Sequence, residues 1–164
     1  MITQIKFPFG THQRVLAHAV KNSSGAVLEI GCGHGSTPML HELCRGRKLV
    51  TLETDFDWMI QFHHLANLEH EFYHADNYEE FDELIRSGKW DVVFIDHAPA
   101  ERRNFEIEKV TNAKFVVVHD THDPAYEYEK VFPLFKDKFT YTLETPWTTV
   151  LSNKEGLSIF NELL

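Results

Sequence analysis

The residues of this chain best suited to chemistry form a glycine-rich turn that follows an apolar run, Val27 to Ile30. Every second residue of the turn is glycine, at Gly31, Gly33 and Gly35. Residues typical of a helix start follow directly: Ser36, Thr37 and Pro38. Glycines let the backbone approach a ligand closely, and the amides at a helix start attract an anionic group. Ser36 or Thr37 is expected to cap the helix, with Pro38 in its first turn. Strand, glycine turn and helix together predict the unit that holds an adenosyl cofactor.

Polar residues also stand where the other apolar runs end. Glu53 lies about 20 residues beyond the turn, where an acid hydrogen-bonds ribose hydroxyls. The remaining strand-end residues are Asp76, Asn77, Asp96, His97, His119 and Asp120. Alone, the turn fits an ordinary strand-to-helix connection, and Glu53 alone fits a surface acid. Their combination predicts an adenosine ligand at the carboxyl ends of parallel strands.

The elements that must position these residues alternate between strand and helix patterns. Predicted strands span 26–30, 48–52, 71–74, 91–95, 114–118, 139–143 and 148–151. Predicted helices span 12–21 (capped by Thr11), 37–46, 56–68, 78–86, 101–110 and 124–135. The last two strands follow each other too closely for a helical crossover, so they should pair antiparallel. The fold class predicted is α/β, a doubly wound, mostly parallel seven-stranded sheet with helices on both faces.

Length and composition agree with one globular domain over 1–164, in which 1–25 form an N-terminal arm and helix. The aromatic lead-in at 6–10 is interpreted as an arm over the core edge or as part of a substrate lid. The net charge of −9 disfavours a nucleic-acid backbone binder. No long apolar run predicts a membrane span, and no signal-peptide pattern opens the chain. Two cysteines without a disulfide framework fit a reducing compartment, so a cytoplasmic location is expected.

The turn and the spaced acids resemble those of class I S-adenosylmethionine-dependent methyltransferases, over the chain from about Thr11 onward. The resemblance implies that the turn holds the methionine part of the cofactor, Glu53 the ribose and Asp76 the adenine amino group. It also implies a reversed last strand. The residues it assigns to cofactor binding are Glu29, Gly31, Cys32, Gly33, His34, Gly35, Ser36, Glu53, Thr54, Asp76, Asn77, Asp96 and His97.

A finer resemblance is to the small catechol-type O-methyltransferases. It implies that Asp96 and Asp120 bind Mg²⁺, an ion that favours carboxylates, and that His97 touches adenine. Thr121 stands where that group has an asparagine ligand, and Pro99 where it often has a lysine base. The alternative, that both acids merely contact cofactor and backbone, therefore stays open.

Candidate catalytic residues are Asp96, His119 and Asp120. A histidine can act as general base near neutral pH, which makes His119 or His122 a candidate for deprotonating a hydroxyl. Each fits a structural strand-end histidine equally well.

The function predicted is methyl transfer from S-adenosylmethionine to a small molecule, at oxygen or, as a weaker option, nitrogen. Three alternatives remain: a cofactor-binding subunit that does not methylate, a nucleic-acid methyltransferase, and a nicotinamide-dependent oxidoreductase. Ser36 at the third fingerprint position, where a dinucleotide-binding protein has glycine, disfavours the last. The chain leaves little room for a substrate-specificity domain, which favours a homodimer that completes the site.

Overall fold

The computed structural model describes residues 10–164, so most of the aromatic lead-in, at 6–9, lies outside the described residues. Its strands are β1 (Ala26–Ile30), β2 (Leu49–Glu53), β3 (His70–His74), β4 (Trp90–Ile95), β5 (Phe115–His119), β6 (Asp137–Tyr141) and β7 (Thr148–Ser152). Each of the seven predicted strands is present, with ends shifted by two residues at most.

All seven strands join one sheet in the order β3-β2-β1-β4-β5-β7-β6. The first five strands run parallel, and β7 inserts antiparallel between β5 and β6. The inner strands are mainly apolar because helices cover both of their faces. The predicted fold class, including the reversed last strand, is confirmed. The strand order places the carboxyl ends of β1, β2, β4 and β5 at one edge.

The α-helices are α1 (Gln13–Lys21), α2 (Thr37–Leu43), α3 (Phe56–Met59), α4 (Asp82–Ser87) and α5 (Arg103–Lys109). Helices α1 and α2 pack on one face of the sheet, and α4 and α5 on the other. Representative buried residues of the first face are Val15, Leu16, Leu40 and Phe160, and of the second Ile85, Ile107 and Tyr128. Within residues 10–164, no helix has both the length and the apolar character to cross a bilayer.

The predicted helix over 124–135 is wrong. Three separate 3₁₀ turns replace it, at Pro124–Tyr126, Tyr128–Lys130 and Phe132–Leu134. Glu127 has a left-handed backbone (φ 52°) between the first two turns, which an α-helix cannot continue through. Pro133 has no amide hydrogen to donate, which weakens a helix further along.

Other predicted helices are shorter than expected. Helix α3 passes into a 3₁₀ turn at Ile60–Leu65, and 3₁₀ turns at Tyr78–Phe81 and Ala100–Arg102 precede α4 and α5. The predicted Thr11 cap is wrong, because His12 is the N-cap of α1. Ser36 occupies the N-cap of α2, one of the two positions predicted for it, but makes no side-chain capping bond. Their hydroxyls are engaged at the sheet edge instead.

Candidate functional site

The glycine turn between β1 and α2 is packed tightly against the end of β4. Gly31 has φ +89°, and a Cβ there would lie 2.6 Å from the Cα atom of His97. Gly33 differs, since a Cβ would meet only the Ser36 hydroxyl at 3.8 Å. The turn therefore needs glycine at its first position for close backbone approach and leaves open space above its second, as a ligand cradle requires.

Glu29 lies beneath this turn and is fully buried. Its carboxylate accepts hydrogen bonds from the hydroxyls of Ser36 (2.5 Å), Thr37 (3.0 Å) and Thr51 (2.8 Å). Burial raises the pKa of Glu29 from its ordinary 4.5 to about 7, although these hydrogen bonds oppose the rise. Glu29 thus supports the turn from inside the protein, and its assignment to cofactor binding stays a prediction.

Glu53 at the end of β2 closes the other side of the turn. Its Oε2 accepts from the amide of Cys32 (3.1 Å), and its Oε1 accepts from the amides of Thr54 (2.7 Å) and Asp55 (3.1 Å). The thiol of Cys32 also donates to Oε2 and the hydroxyl of Tyr78 to Oε1, each at 3.5 Å. Protein donors therefore surround the carboxylate, and its contact with ribose hydroxyls stays a prediction. The turn and Glu53, predicted to share a ligand, are in direct contact.

An aromatic group lies beside the turn. The indole nitrogen of Trp58 donates to the carbonyl of Cys32 at 2.7 Å. The exposed His34 ring packs against Trp58 and Phe62, with centroids 5.3 and 5.0 Å apart. Trp58 is 37% exposed, so it combines a fixed position with access to solvent.

The predicted adenine-binding residues have different environments. Asp76 and Asn77 are exposed after β3, and Asn77 donates to Glu80. His97 is buried, with Nε2 3.1 Å from Glu106 and its ring 4.2 Å from that of Tyr78. Burial lowers the pKa of His97, which Glu106 opposes. The cofactor roles of all three stay predictions.

A cluster of charged side chains lies where β4 and β5 end. Nδ1 of His119 is 3.2 Å from Oδ2 of Asp96 and 3.6 Å from Oδ1 of Asp120. Arg103, at the start of α5, bridges the same two acids, with Nη2 3.1 Å from Asp96 and Nη1 3.0 Å from Asp120. Arg103 also donates to the carbonyls of His97 and His119. The predicted catalytic residues thus come together around an arginine that sequence reasoning missed.

This cluster also favours the charged form of Asp96. Burial favours the neutral form of Asp96, but the hydrogen bond from His119 and the charge of Arg103 outweigh it and lower the pKa. Asp120 has φ +59°, a left-handed conformation uncommon outside glycine and often found at functional sites.

The Asp96 and Asp120 pair does not fit the Mg²⁺ ion that the resemblance implied. Each of their four carboxylate oxygens already lies near a basic nitrogen: one oxygen of each acid faces Arg103, and the other faces His119. A Mg²⁺ ion bound to both acids would need two of these oxygens at about 2.0–2.1 Å, against an arginine held by the same side chains.

The second nitrogen of His119 faces the N-terminal end of α1. Nε2 is 3.0 Å from the hydroxyl of Thr11, which donates its single hydrogen to the carbonyl of Pro146 at 2.8 Å. Thr11 therefore accepts from His119, and Nε2 carries a proton in this arrangement. Both ring nitrogens are positioned by named partners.

His12 completes the cluster and was not singled out by its sequence. It is 2% exposed, and its ring lies 4.7 Å from His119 and 4.8 Å from Phe94. Burial lowers its pKa to about 4, so it is neutral at pH 7. Within the described part of the chain neither ring nitrogen has a hydrogen-bond partner. One ligand atom each from His12, Asp96 and His119 lie within 4.8 Å of one another.

The loop after β5 leads from this cluster into a cavity of about 520 Å³. The Thr121 amide donates to the carbonyl of Trp147, and its hydroxyl accepts from Thr149. His122, the other candidate base, is exposed, with its ring 6.5 Å from that of Trp147. Aromatic and polar residues line the cavity, among them Thr121, His122, Tyr128, Phe132, Phe135 and Lys138. Its size is that of a small-molecule site.

No protein-family model matches the chain, and no curated protein matches it by sequence. Solved structures do match. Human methyltransferase-like protein 13 in complex with SAH is 14% identical with a TM-score of 0.67, over 93% of this chain and 88% of that one. A putative caffeoyl-CoA O-methyltransferase from Staphylococcus aureus is 15% identical with a TM-score of 0.65, over 93% and 85%.

MycE from the mycinamycin biosynthetic pathway, in complex with Mg and SAH, is a third match. It is 18% identical with a TM-score of 0.59, and 90% of this chain covers 47% of MycE, about half its length. The chain has the class I S-adenosylmethionine-dependent methyltransferase fold. The TM-scores establish the fold, and sequence identities this low carry no substrate over to this chain.

Proposed function

We propose that this chain is an S-adenosylmethionine-dependent methyltransferase that methylates an oxygen of a small molecule. The observation that carries the proposal is the Asp96–His119 pair beside the glycine turn. The amide of Asp96 donates to the carbonyl of Ile30 at 3.1 Å, which joins the acid directly to the strand that leads into the turn. A cofactor cradle and a polar group suited to proton transfer therefore share one sheet edge.

The turn and Glu53 would hold the cofactor. It supplies a methyl group bound to a sulfonium sulfur, which is a good leaving group. The protein must then align the acceptor oxygen and take up its proton. In our proposal His119 is the general base, and Asp96 orients its ring through Nδ1. The acceptor hydroxyl takes the place of the Thr11 hydroxyl at Nε2, where His119 must be deprotonated to act.

The cavity beside the loop after β5 supports a small-molecule acceptor. It lies next to Thr121, one residue from Asp120, and aromatic side chains supply apolar contact. Lys138 and His122 at its lining add polar contacts. An acceptor with an apolar or aromatic body and a hydroxyl group fits this lining best. Homodimer formation and a cytoplasmic location remain predictions that sizing chromatography and fractionation would test.

The first experiment is a thermal-shift titration with S-adenosylmethionine, its demethylated product and NAD. A ligand at about a hundred times its Kd should stabilise the fold by about 2.7 kcal/mol. A shift with the adenosyl-sulfur pair and not with NAD supports the proposal. A shift with NAD alone, or with none of the three, contradicts it.

A screen of hydroxylated acceptors then compares His119→Ala with His122→Ala. Loss of a general base should lower kcat roughly 10²–10⁴-fold in the first variant, with cofactor affinity kept. His122 is the comparison, because it lines the acceptor cavity three residues beyond His119 but lies outside the charged cluster. Its loss should raise KM and change kcat little. Equal effects of the two substitutions would contradict the role of His119. Cofactor binding without turnover on any acceptor would favour a non-catalytic binding subunit.

A further inference from the structure

A buried arginine lies between the two strand-end acids, Asp96 and Asp120. Arg103 is 5% exposed and uses Nε, Nη1 and Nη2 together. Two of its contacts reach carbonyls at the ends of β4 and β5, at His97 and His119. The planar fork of a guanidinium is suited to holding two carboxylates in a fixed geometry, whereas an ammonium is a point charge.

We propose that Arg103 is a built-in replacement for a divalent cation, and that the site binds and uses no metal. The positive charge that an ion would place between Asp96 and Asp120 comes here from the chain itself. The proposal deepens the proposed function, because it defines the electrostatics of the same site.

The contacts of the two acids support this assignment. Arg103 faces both carboxylates at once, and Nδ1 of His119 faces the second oxygen of each, so every carboxylate oxygen has a partner from the chain without an ion. Burial alone would lower the pKa of Arg103, but the negative charge of Asp96 and other groups nearby raise it. The guanidinium therefore stays charged. The ring of Tyr126 lies 5.7 Å from the guanidinium carbon and adds a cation–π contact.

Geometry supplies the second argument. Arg103 begins α5, one helical turn before the buried Ile107, so the packing of that helix on the sheet fixes where the guanidinium stands. A mobile surface arginine could move aside for an ion, but this one donates to the carbonyls of His97, just after β4, and of His119, at the end of β5. Arg103 acts through Asp96 and is therefore a positioning residue.

The test measures cation binding and needs neither cofactor nor acceptor, so its outcome is separate from that of the proposed methyl transfer. The probe is Mn²⁺, followed by electron paramagnetic resonance and by Tm. The wild-type chain should leave the signal of free Mn²⁺ unchanged, and its Tm should be equal in Mn²⁺ and in a chelator.

Arg103→Ala should lower the Tm by roughly 10 °C, because two acids lose their shared cation. This variant should gain one Mn²⁺ per chain and recover most of the lost Tm when the ion is added. A merely structural role for Arg103 would lower the Tm without creating an ion site. Adding Asp120→Asn to the variant should abolish the gained site, and Arg103→Lys, which keeps the charge, should not gain one.

Two results would overturn the proposal. One is a folded Arg103→Ala chain that binds no Mn²⁺. The other is stoichiometric Mn²⁺ binding by the wild-type chain that Asp96→Asn removes, which would place a cation on the other side of this acid, toward His12 and His119. The wild-type measurement decides the matter even if Arg103→Ala does not fold.

Discussion

Replacing Glu29 by Gln tests the account of the glycine turn through its pH dependence. The carboxylate is fully buried and its pKa is raised by burial to about 7, from 4.5 in an exposed chain. Because the folded-state pKa is the higher one, Glu29 contributes stability that is fully present below pH 4.5. That contribution is lost as the pH rises toward 7, where the folded state must hold a buried charge.

The magnitude follows from the two pKa values. A rise from 4.5 to about 7, at 1.36 kcal/mol per pKa unit, corresponds to roughly 3 kcal/mol. At about 2–4 °C per kcal/mol for a chain of this size, the corresponding change in Tm is roughly 6–12 °C. A glutamine stays neutral at every pH, so Glu29→Gln should not show this loss.

The assay is urea unfolding followed by circular dichroism, for both chains, at pH values from about 4 to 8. The stability of wild type relative to Glu29→Gln should fall by roughly 3 kcal/mol across this range. Taking the difference removes other titrations, including that of buried His12, whose lowered pKa acts in the opposite direction between pH 4 and 6.5. Glu42→Gln removes an exposed carboxylate on α2, the helix that follows the turn; it is the matched control and should leave the profile unchanged.

A difference that stays constant with pH would refute the reasoning. It would mean that Ser36, Thr37 and Thr51 stabilise the charged form enough to cancel the effect of burial. Glu29 would then support the turn as a charged carboxylate over the whole pH range.

Two further predictions concern the same edge of the sheet. Gly31→Ala should destabilise the fold more than Gly46→Ala, because both glycines have positive φ but only the first Cβ would strike backbone, and Tm values compare them. The Gly46 change should cost about 1–2 kcal/mol; equal losses would contradict the close packing on His97. Binding of the demethylated product of S-adenosylmethionine should exclude water from Trp58, which is 37% exposed. The tryptophan fluorescence emission should then shift to shorter wavelength. Trp58→Phe should abolish that shift, and its persistence would assign the signal to another tryptophan.

The sheet could be predicted from the sequence because each strand corresponds to a short run of mainly apolar residues. Runs such as 91–95 and 114–118 are apolar after their first residue, as expected of strands covered on both faces. The glycine turn and Glu53 could also be placed, since their spacing along the chain reflects one strand–helix–strand unit. Their direct contact through the Cys32 amide was not predicted and comes from the structure.

The helical segments were predicted less well where tertiary packing overrides periodicity. The apolar spacing over 124–135 reflects side chains that pack on the sheet from successive 3₁₀ turns, not from one helix. The missing capping bond has a related reason. The Ser36 hydroxyl donates to buried Glu29, a partner that no local rule reveals, and accepts from no amide of its own helix.

Arg103 and His12 were missed because their partners are distant in sequence. One signal was present: Arg103 lies four residues before Ile107, on the apolar side of its helix, where a charged residue needs a buried partner. His12 reads as an ordinary residue at a helix start. Only the packing of α1 across the ends of β4 and β5 brings it to Asp96.

The insertion of β7 between β5 and β6 has a consequence for how the chain is made. On the ribosome, β6 emerges before the strand that joins it to the sheet, so β5 and β6 both expose unpaired edges until Ser152 is available. The same late segment supplies the carbonyls of Pro146 and Trp147 that hold Thr11 and Thr121. A nascent chain stalled just before it would carry most of the sheet, an open edge prone to aggregation and an unformed site.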